Sequence, residues 1–360
     1  MKAIEHPSHW LDKGVLDVIR DRALEAELLK HLHPDQLDVI QQQRWLKMFV
    51  PKKFGGLELS IPEILRTEES LAWTDGSTAW VVTLCAGAAW FIGFLDQQLA
   101  QEVFSDDLVF FAGSGAITGS AEIIPEGYLL NGNWKYASGS LHATVFTSNC
   151  VIRKNGKPLL LPNGSPVIRA FLMKKDEVII HKTWNSMGMI ATGSHSFEVK
   201  NLIVPPNRSF EIDAKNAVIN NPIYHYPFLQ LAETTLAVNL SGLAIRFLDL
   251  CEEMAMQKVN GKANRLTKSL RQAEAKLGES RKEFYDAVNL SWKSCERKKT
   301  IPKTELKEVS KASQALAKVS IQLVDQLYPF CGLTAADTQQ EINRVWRNIH
   351  TASQHSLFKW

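Results

Sequence analysis

The sequence has little of what announces many protein classes. Its five cysteines, Cys85, Cys150, Cys251, Cys295 and Cys331, are odd in number, widely scattered and never spaced Cys-x-x-Cys. That pattern argues against a disulfide framework and against a zinc site, and it fits a reducing cytoplasm. No long block of one charge occurs: 41 Lys and Arg face 38 Asp and Glu, a net charge of +3 over 360 residues. A chain this balanced carries no footprint for nucleic acid. The N-terminus lacks the basic-then-apolar pattern of a signal peptide. One run, Thr78 to Leu95, is free of charge and approaches the length of a membrane span, but Ala, Gly, Thr and Cys fill it and no basic cluster flanks it. It reads as a buried core helix. The expectation is a cytoplasmic protein with no membrane or nucleic-acid partner.

What is present divides the chain into three parts. Residues 8 to about 107 have helical patterning, with a capping-box spacing at Ser60-Ile61-Pro62-Glu63 and helix breaks at Asp75-Gly76-Ser77 and Asp96. From Leu108 to about Asp213 short β-rich runs alternate with Gly, Asn and Pro, without intervening helices. Such a stretch predicts an antiparallel barrel or sandwich. From Pro222 onward apolar residues recur at helical spacing over Phe228–Met256, Leu266–Cys295, Leu306–Tyr328 and Glu341–Phe358, the pattern of a four-helix bundle. The expected fold is therefore α+β and mainly α, with domains at 1–107, 108–213 and 214–360.

The stretch Leu130 to Gly139 is the most informative. Asn131-Gly132 reads as the turn of a hairpin, and past it Trp134 and Tyr136 alternate with Lys135 and Ala137, placing both aromatics on one strand face. Two readings stand: a surface hairpin with ordinary cross-strand aromatics, or a platform on which a flat heteroaromatic cofactor stacks beside Ser138, Gly139 and Ser140. Thr192-Gly193-Ser194 is likewise either a polar turn or a set of donors. In the last helix His350 and His355 are five residues apart, roughly 140° around the axis, so they cannot share one metal.

Leu130-Asn131-Gly132, the Trp184–Ser194 segment with the Val-x-x-Leu-Ile-Val-Pro strand after it, and Pro51-x-x-Phe54-Gly55-Gly56 resemble, in that chain order, the acyl-CoA dehydrogenase superfamily of flavoproteins. The resemblance spans residues 8 to 358. It implies a flavin, FAD or FMN, with Tyr136 at the family's aromatic, Ser138 at the hydroxyl that meets flavin N5, and Ser114, Gly139, Thr192, Gly193 and Ser194 as further cofactor contacts. Arg265, in a basic segment whose default is a solvated face, would lie near a cofactor phosphate. Trp134-Lys135-Tyr136-Ala137-Ser138 with His142 after it is similar to the flavin-dependent monooxygenases of two-component systems. So is the tail, where Arg344, Arg347 and His355 fit Arg-x-x-Arg-Asp-x-x-x-x-x-x-His with Asn348 replacing Asp. In that branch the last histidine lies over the flavin and assists oxygen transfer. The branch also implies a homotetramer, a small organic substrate and a separate flavin reductase.

Two departures matter. True acyl-CoA dehydrogenases often carry Tyr-Glu-Gly-Thr here, whose Glu is the base, whereas this chain has His355 and Ser356 at the Tyr and Glu positions. Glu233, Glu252 and Glu253 are the carboxylates left for a displaced base, and of these Glu233 lies in the most apolar setting. Monooxygenase relatives often carry a histidine on the long N-terminal helix, where this chain has Gly87-Ala88-Ala89-Trp90. A phenolic substrate would need such an imidazole, unless His142 or His350 compensates. The expected function is a monooxygenase-like flavin oxidoreductase. The rivals are an acyl-CoA dehydrogenase with a displaced base and a flavin-free scaffold of the same fold.

Overall fold

The computed structural model describes residues 4–257 and 261–358. Six helices come first: α1 (Lys13–Asp21), α2 (Ala23–Leu29), α3 (Pro34–Gln42), α4 (Ile61–Thr74), α5 (Gly76–Ala89) and α6 (Gln97–Phe104). Polar residues fix their starts by satisfying the free N–H groups of the first turn. Glu63 reaches back to the Ser60 amide, Asp75 accepts from Thr78, and Asp96 accepts from Gln98 and Leu99. Nearly all of α5 is buried, which is why its sequence shows no polar face.

The middle of the chain forms β1 (Phe111–Ile124), β2 (Gly127–Ala137), β3 (Val145–Lys154), β4 (Lys157–Pro158), β5 (Ile168–Lys174), β6 (Ile179–His181), β7 (His195–Val204) and β8 (Ser209–Phe210). They make one sheet in the order β6-β7-β2-β1-β3-β5-β8, with β4 on β3. The sheet is mixed rather than wholly antiparallel as expected, because β3 returns beside β1 in the same direction.

Two local expectations are corrected. The hairpin between β1 and β2 turns at Pro125-Glu126, while Asn131-Gly132 lies inside β2 opposite β1 and β7. There β2 slips register against β7, and Asn131 Oδ1 accepts from the Asn201 amide at 2.9 Å. Gly132 serves packing: a Cβ would stand 2.5 Å from the Trp134 ring. Nor do Trp134 and Tyr136 share a face. A second slip between Trp134 and Ala137 puts Tyr136 at φ +66°, so Trp134 turns inward onto Phe197, rings 5.2 Å apart, while Tyr136 is 67% exposed. A bulge breaks the two-residue alternation on which the expectation rested.

The C-terminal part comprises α7 (Phe228–Gln257), α8 (Gly261–Lys298), α9 (Lys303–Cys331), the short α10 (Leu333–Ala336) and α11 (Glu341–Ala352). A buried bidentate pair fastens this bundle to the N-terminal helices: Arg281 on α8 donates two hydrogen bonds of 2.9 Å to Glu69 on α4, which also accepts from Ser241 and Tyr285. Breaking such a pair would strand a charge away from water. Two stretches, Gly76–Phe94 and Phe228–Met256, are long and apolar enough to cross a membrane, yet 83% and 78% of them is buried inside the protein. The final helix stops at Ala352, short of the expected Phe358, so His355 sits in the turns beyond it and helical angles do not relate it to His350.

Candidate active site

The two segments singled out in the sequence meet. Past the end of β2, the Gly139 amide donates to Thr192 O at 2.8 Å and Ser140 Oγ donates to Gly193 O at 2.9 Å. Gly139 has φ +72° and Gly193 φ +51°, left-handed conformations natural to glycine. At Gly139 a Cβ would also press to 2.8 Å from the Phe110 ring and 3.0 Å from Cys85 Sγ.

Three buried hydroxyls gather across this seam. Ser194 Oγ lies 2.8 Å from Ser138 Oγ and 2.7 Å from Thr192 Oγ1, and Thr192 donates to Met189 O at 2.8 Å. The last bond fixes the order of protons, because a carbonyl only accepts. Thr192 has spent its proton, so Ser194 donates to Thr192 and Ser138 donates to Ser194. The capacity left on Ser138 Oγ is lone pairs, which suits a ligand N–H.

The last helix holds the second segment in place. Met189 donates to Asn348 Oδ1 at 2.6 Å, while Arg347 donates to Met187 O and forms a two-pronged ion pair with Glu27 on α2. Gly188 allows the approach, since a Cβ there would lie 2.1 Å from Arg347 O. At the open rim the Tyr136 ring meets Trp184 edge-on at 6.1 Å, and Trp184 Nε1 donates to Met189 O. Asn348 supplies the acceptor oxygen that an aspartate would.

Beside the hydroxyls runs a face of α5. Trp80, Leu84 and Gly87 follow at i, i+4 and i+7, with Ala88 next to them. Leu84 and Gly87 are only half-buried in a helix otherwise packed on all sides, and a Cβ on Gly87 would meet nothing within 4 Å. Cys85, one residue from Leu84, donates to Ser138 O at 3.5 Å and so ties this helix to the seam. His355 closes the other side, its ring edge-on to Trp80 at 5.9 Å. Leu357 N–H donates to His355 Nδ1 at 3.3 Å, which leaves the ring proton of the neutral imidazole on Nε2. Burial lowers the His355 pKa and keeps that neutral form at physiological pH.

Of the residues expected in the site, Ser138, Gly139, Thr192, Gly193 and Ser194 come together, with Tyr136 at the rim and His355 across the α5 face. Ser114 stays on β1 opposite Ser148, its Oγ accepting from the Ala116 amide, and no hydrogen bond joins it to the hydroxyls. Arg265 is exposed on α8, a helix packed chiefly on α9 and α7. His350 is turned to Asp325, 3.0 Å away, and to the Trp346 ring. His142 lies against His31 and Phe110, its buried Nε2 without a hydrogen-bond partner among the described residues. Glu233 faces α9, where Ser310 and Gln314 donate to it. Cys85 and the Met189–Asn348 contact were not anticipated as site features; Trp184 and Met189 belong to the Trp184–Ser194 segment that resembles the family, and the tail motif pointed toward Asn348.

A flat ring with polar edges fits this cleft: apolar α5 on one side, an acceptor at Ser138, aromatic residues at the rim. Residues 234–360 match the family model described as acyl-CoA dehydrogenase, C-terminal domain. The chain is 26% identical over 354 residues to indole-3-acetate monooxygenase of Pseudomonas putida, covering 96% of this chain and 89% of that one. It is 27% identical over 361 residues to the oxygenase subunit HsaA, a flavin-dependent monooxygenase of Mycobacterium tuberculosis, covering 95% and 89%. The HsaA crystal structure superposes with a TM-score of 0.89 at 24% identity over 96% of this chain and 92% of that one. XiaF from a Streptomyces species, solved with FADH2 and glycerol, gives 0.87 at 20% identity over 96% and 90%. The chain thus carries an acyl-CoA dehydrogenase C-terminal domain over residues 234–360, and the relatives it matches along nearly its whole length are flavin-dependent oxidoreductases. Its full-length relatives are monooxygenases and hydroxylases, among them oxygenase subunits.

Proposed function

We propose that the protein is the oxygenase component of a two-component system, accepting reduced flavin from a separate reductase and placing one oxygen atom on a small, largely apolar organic substrate. One observation carries this reading: the Ser138 acceptor and the His355 Nε2–H donor flank a single apolar face of α5. A reduced flavin held there would supply the two electrons that reduce O2, one oxygen going to substrate and the other leaving as water. Ser138 would accept from an N–H of the reduced ring, and His355 would offer a proton to the departing oxygen. Leu84, Gly87 and Ala88 would keep water from the space between.

Dehydrogenation of an acyl thioester needs a carboxylate base aimed into the cleft. Glu233, the best-placed candidate by sequence, is committed to Ser310 and Gln314 instead. The reading takes the protein as a cytoplasmic homotetramer, and light scattering of the purified protein tests the oligomeric state. For the chemistry, flavin-loaded protein is reduced without oxygen and mixed with oxygenated buffer in a stopped-flow spectrometer. A transient absorbing near about 380 nm is the expected result for oxygen activation on flavin. Bleaching by acyl-CoA without oxygen would transfer the protein to the dehydrogenases. A purified protein that neither holds nor takes up flavin would make it a scaffold.

A further inference from the structure

His355 does not stand on a helix, so something else must fix its ring. The bundle reaches the turn that carries it: Gln314 Nε2 on α9 donates to Leu357 O at 2.8 Å, and the amide N–H of the same Leu357 donates to His355 Nδ1. Gln314 is itself oriented from behind, its Nε2 lying 3.5 Å from Glu233 Oε1. Glu233 is 4% exposed, accepts from Ser310 through its other oxygen, and Ser310 accepts from Gln230 at 3.0 Å. A carboxylate taken this far from water is stabilised by the donors gathered on it, and it holds them in return.

We infer that Gln314, oriented by Glu233 and Ser310, positions His355 and selects its Nε2–H form. The chain Ser310–Glu233–Gln314–Leu357–His355 links α9 and α7 to the tip of the tail. It accounts for a buried acid on α7 that the reaction does not use. The assignment of His355 to oxygen transfer rests on the function proposed above, but its positioning by Gln314 does not.

The test measures His355 directly. Diethylpyrocarbonate acylates the uncharged imidazole, and the extent at His355 is read by mass spectrometry of the tail peptide, with fragmentation separating it from His350. In the wild type the midpoint of the pH profile should lie below the ordinary histidine value of about 6.5. In Gln314→Leu the freed turn should let water in, raising the midpoint by about half a unit or more and speeding the reaction at neutral pH. Glu233→Gln keeps an oxygen for Gln314 and should restore most of the wild-type profile. Product formed per flavin oxidised should fall in Gln314→Leu to the level of His355→Ala, with flavin Kd unchanged. An unaltered midpoint and rate in Gln314→Leu would overturn the positioning role and leave the oxygenase reading intact. If the wild type proves not to oxygenate, the acylation profile still decides. Should Gln314→Leu fail to fold, Ser310→Ala removes only the outer donor and must shift the midpoint the same way; no shift there refutes the relay.

Discussion

The Met189 amide and the Asn348 side chain, 159 positions apart, are joined by a hydrogen bond of 2.6 Å. Together with the Arg347–Met187 hydrogen bond it ties the last helix to the loop that carries Thr192 and Ser194. Asn348→Ala would strand a buried N–H and should cost about 1–3 kcal/mol in unfolding free energy. The same variant should weaken flavin binding, because the Ser138–Ser194 seam depends on that loop. Asn348→Asp keeps the acceptor and should bind flavin as the wild type does. Denaturant titration and flavin fluorescence check both points, and a fully stable Asn348→Ala would show the contact to be idle.

Tyr136 holds a left-handed backbone, φ +66°, that costs a non-glycine residue about 1–2 kcal/mol. Strain at an exposed aromatic beside Ser138 is retained only if the ring is useful there. Tyr136→Gly should therefore raise the thermal midpoint of the flavin-free protein while weakening flavin binding. A variant no more stable than wild type would deny the strain; one that binds flavin equally well would deny the ring a role.

His355→Ala should leave the fold and flavin affinity unchanged and divert reduced flavin to hydrogen peroxide, measured as peroxide released per flavin oxidised. Because burial lowers the His355 pKa, the imidazole remains neutral as pH falls from 8 toward the ordinary value of about 6.5. Coupling should accordingly be flat through that window and decline only at lower pH. A decline centred above pH 7 would place another group in control.

His142 supplies an acid-stability test. Burial first, then His31 and Lys175, push its pKa from 6.5 down to about 4. Below about pH 6.5 the unfolded chain takes up a proton that the folded chain refuses, so stability falls until about pH 4 and levels off beneath it, a loss of up to about 3 kcal/mol. His142→Leu should match wild type near neutrality, since Nε2 has no described partner to lose. It should also show a shallower acid slope, with His195, His225 and His355 and the carboxylates whose pKa is lowered, Glu69, Glu198 and Glu341 among them, contributing to what remains. An identical slope in both proteins would remove His142 from the balance.

Much of this architecture was legible in the residues. Capping signals at Ser60, Asp75 and Asp96 located helix starts because local hydrogen bonds decide them. The bundle helices followed from apolar periodicity. The hairpin was misread because Asn-Gly tolerates a bulge as readily as a turn, and only the packing of Gly132 against Trp134 separates the two. The faces of Trp134 and Tyr136 were misassigned for a related reason: a register slip is a property of the strand pair, not of one strand. Ser138, Thr192 and Ser194 were recognisable as polar residues near glycines, but that they form one seam depends on contacts more than 50 positions apart. The hold that Gln314 and Glu233 have on the tail left no trace in spacing at all.

The α5 face and the hydroxyl seam lie on separate parts of the chain, and α5 meets the seam through Cys85 and the Ile190–Thr192 turn. On the proposed function, the residues that would hold the flavin and those that shape the neighbouring space come from different segments and can vary separately. Exchanging Leu84 or Gly87 should remodel the space beside α5 while keeping the Ser138, Thr192 and Ser194 hydroxyls. A protein divided in this way can change what it oxidises while keeping the apparatus that handles oxygen. The unfilled volume above Gly87 is the first place where a different substrate would be written in.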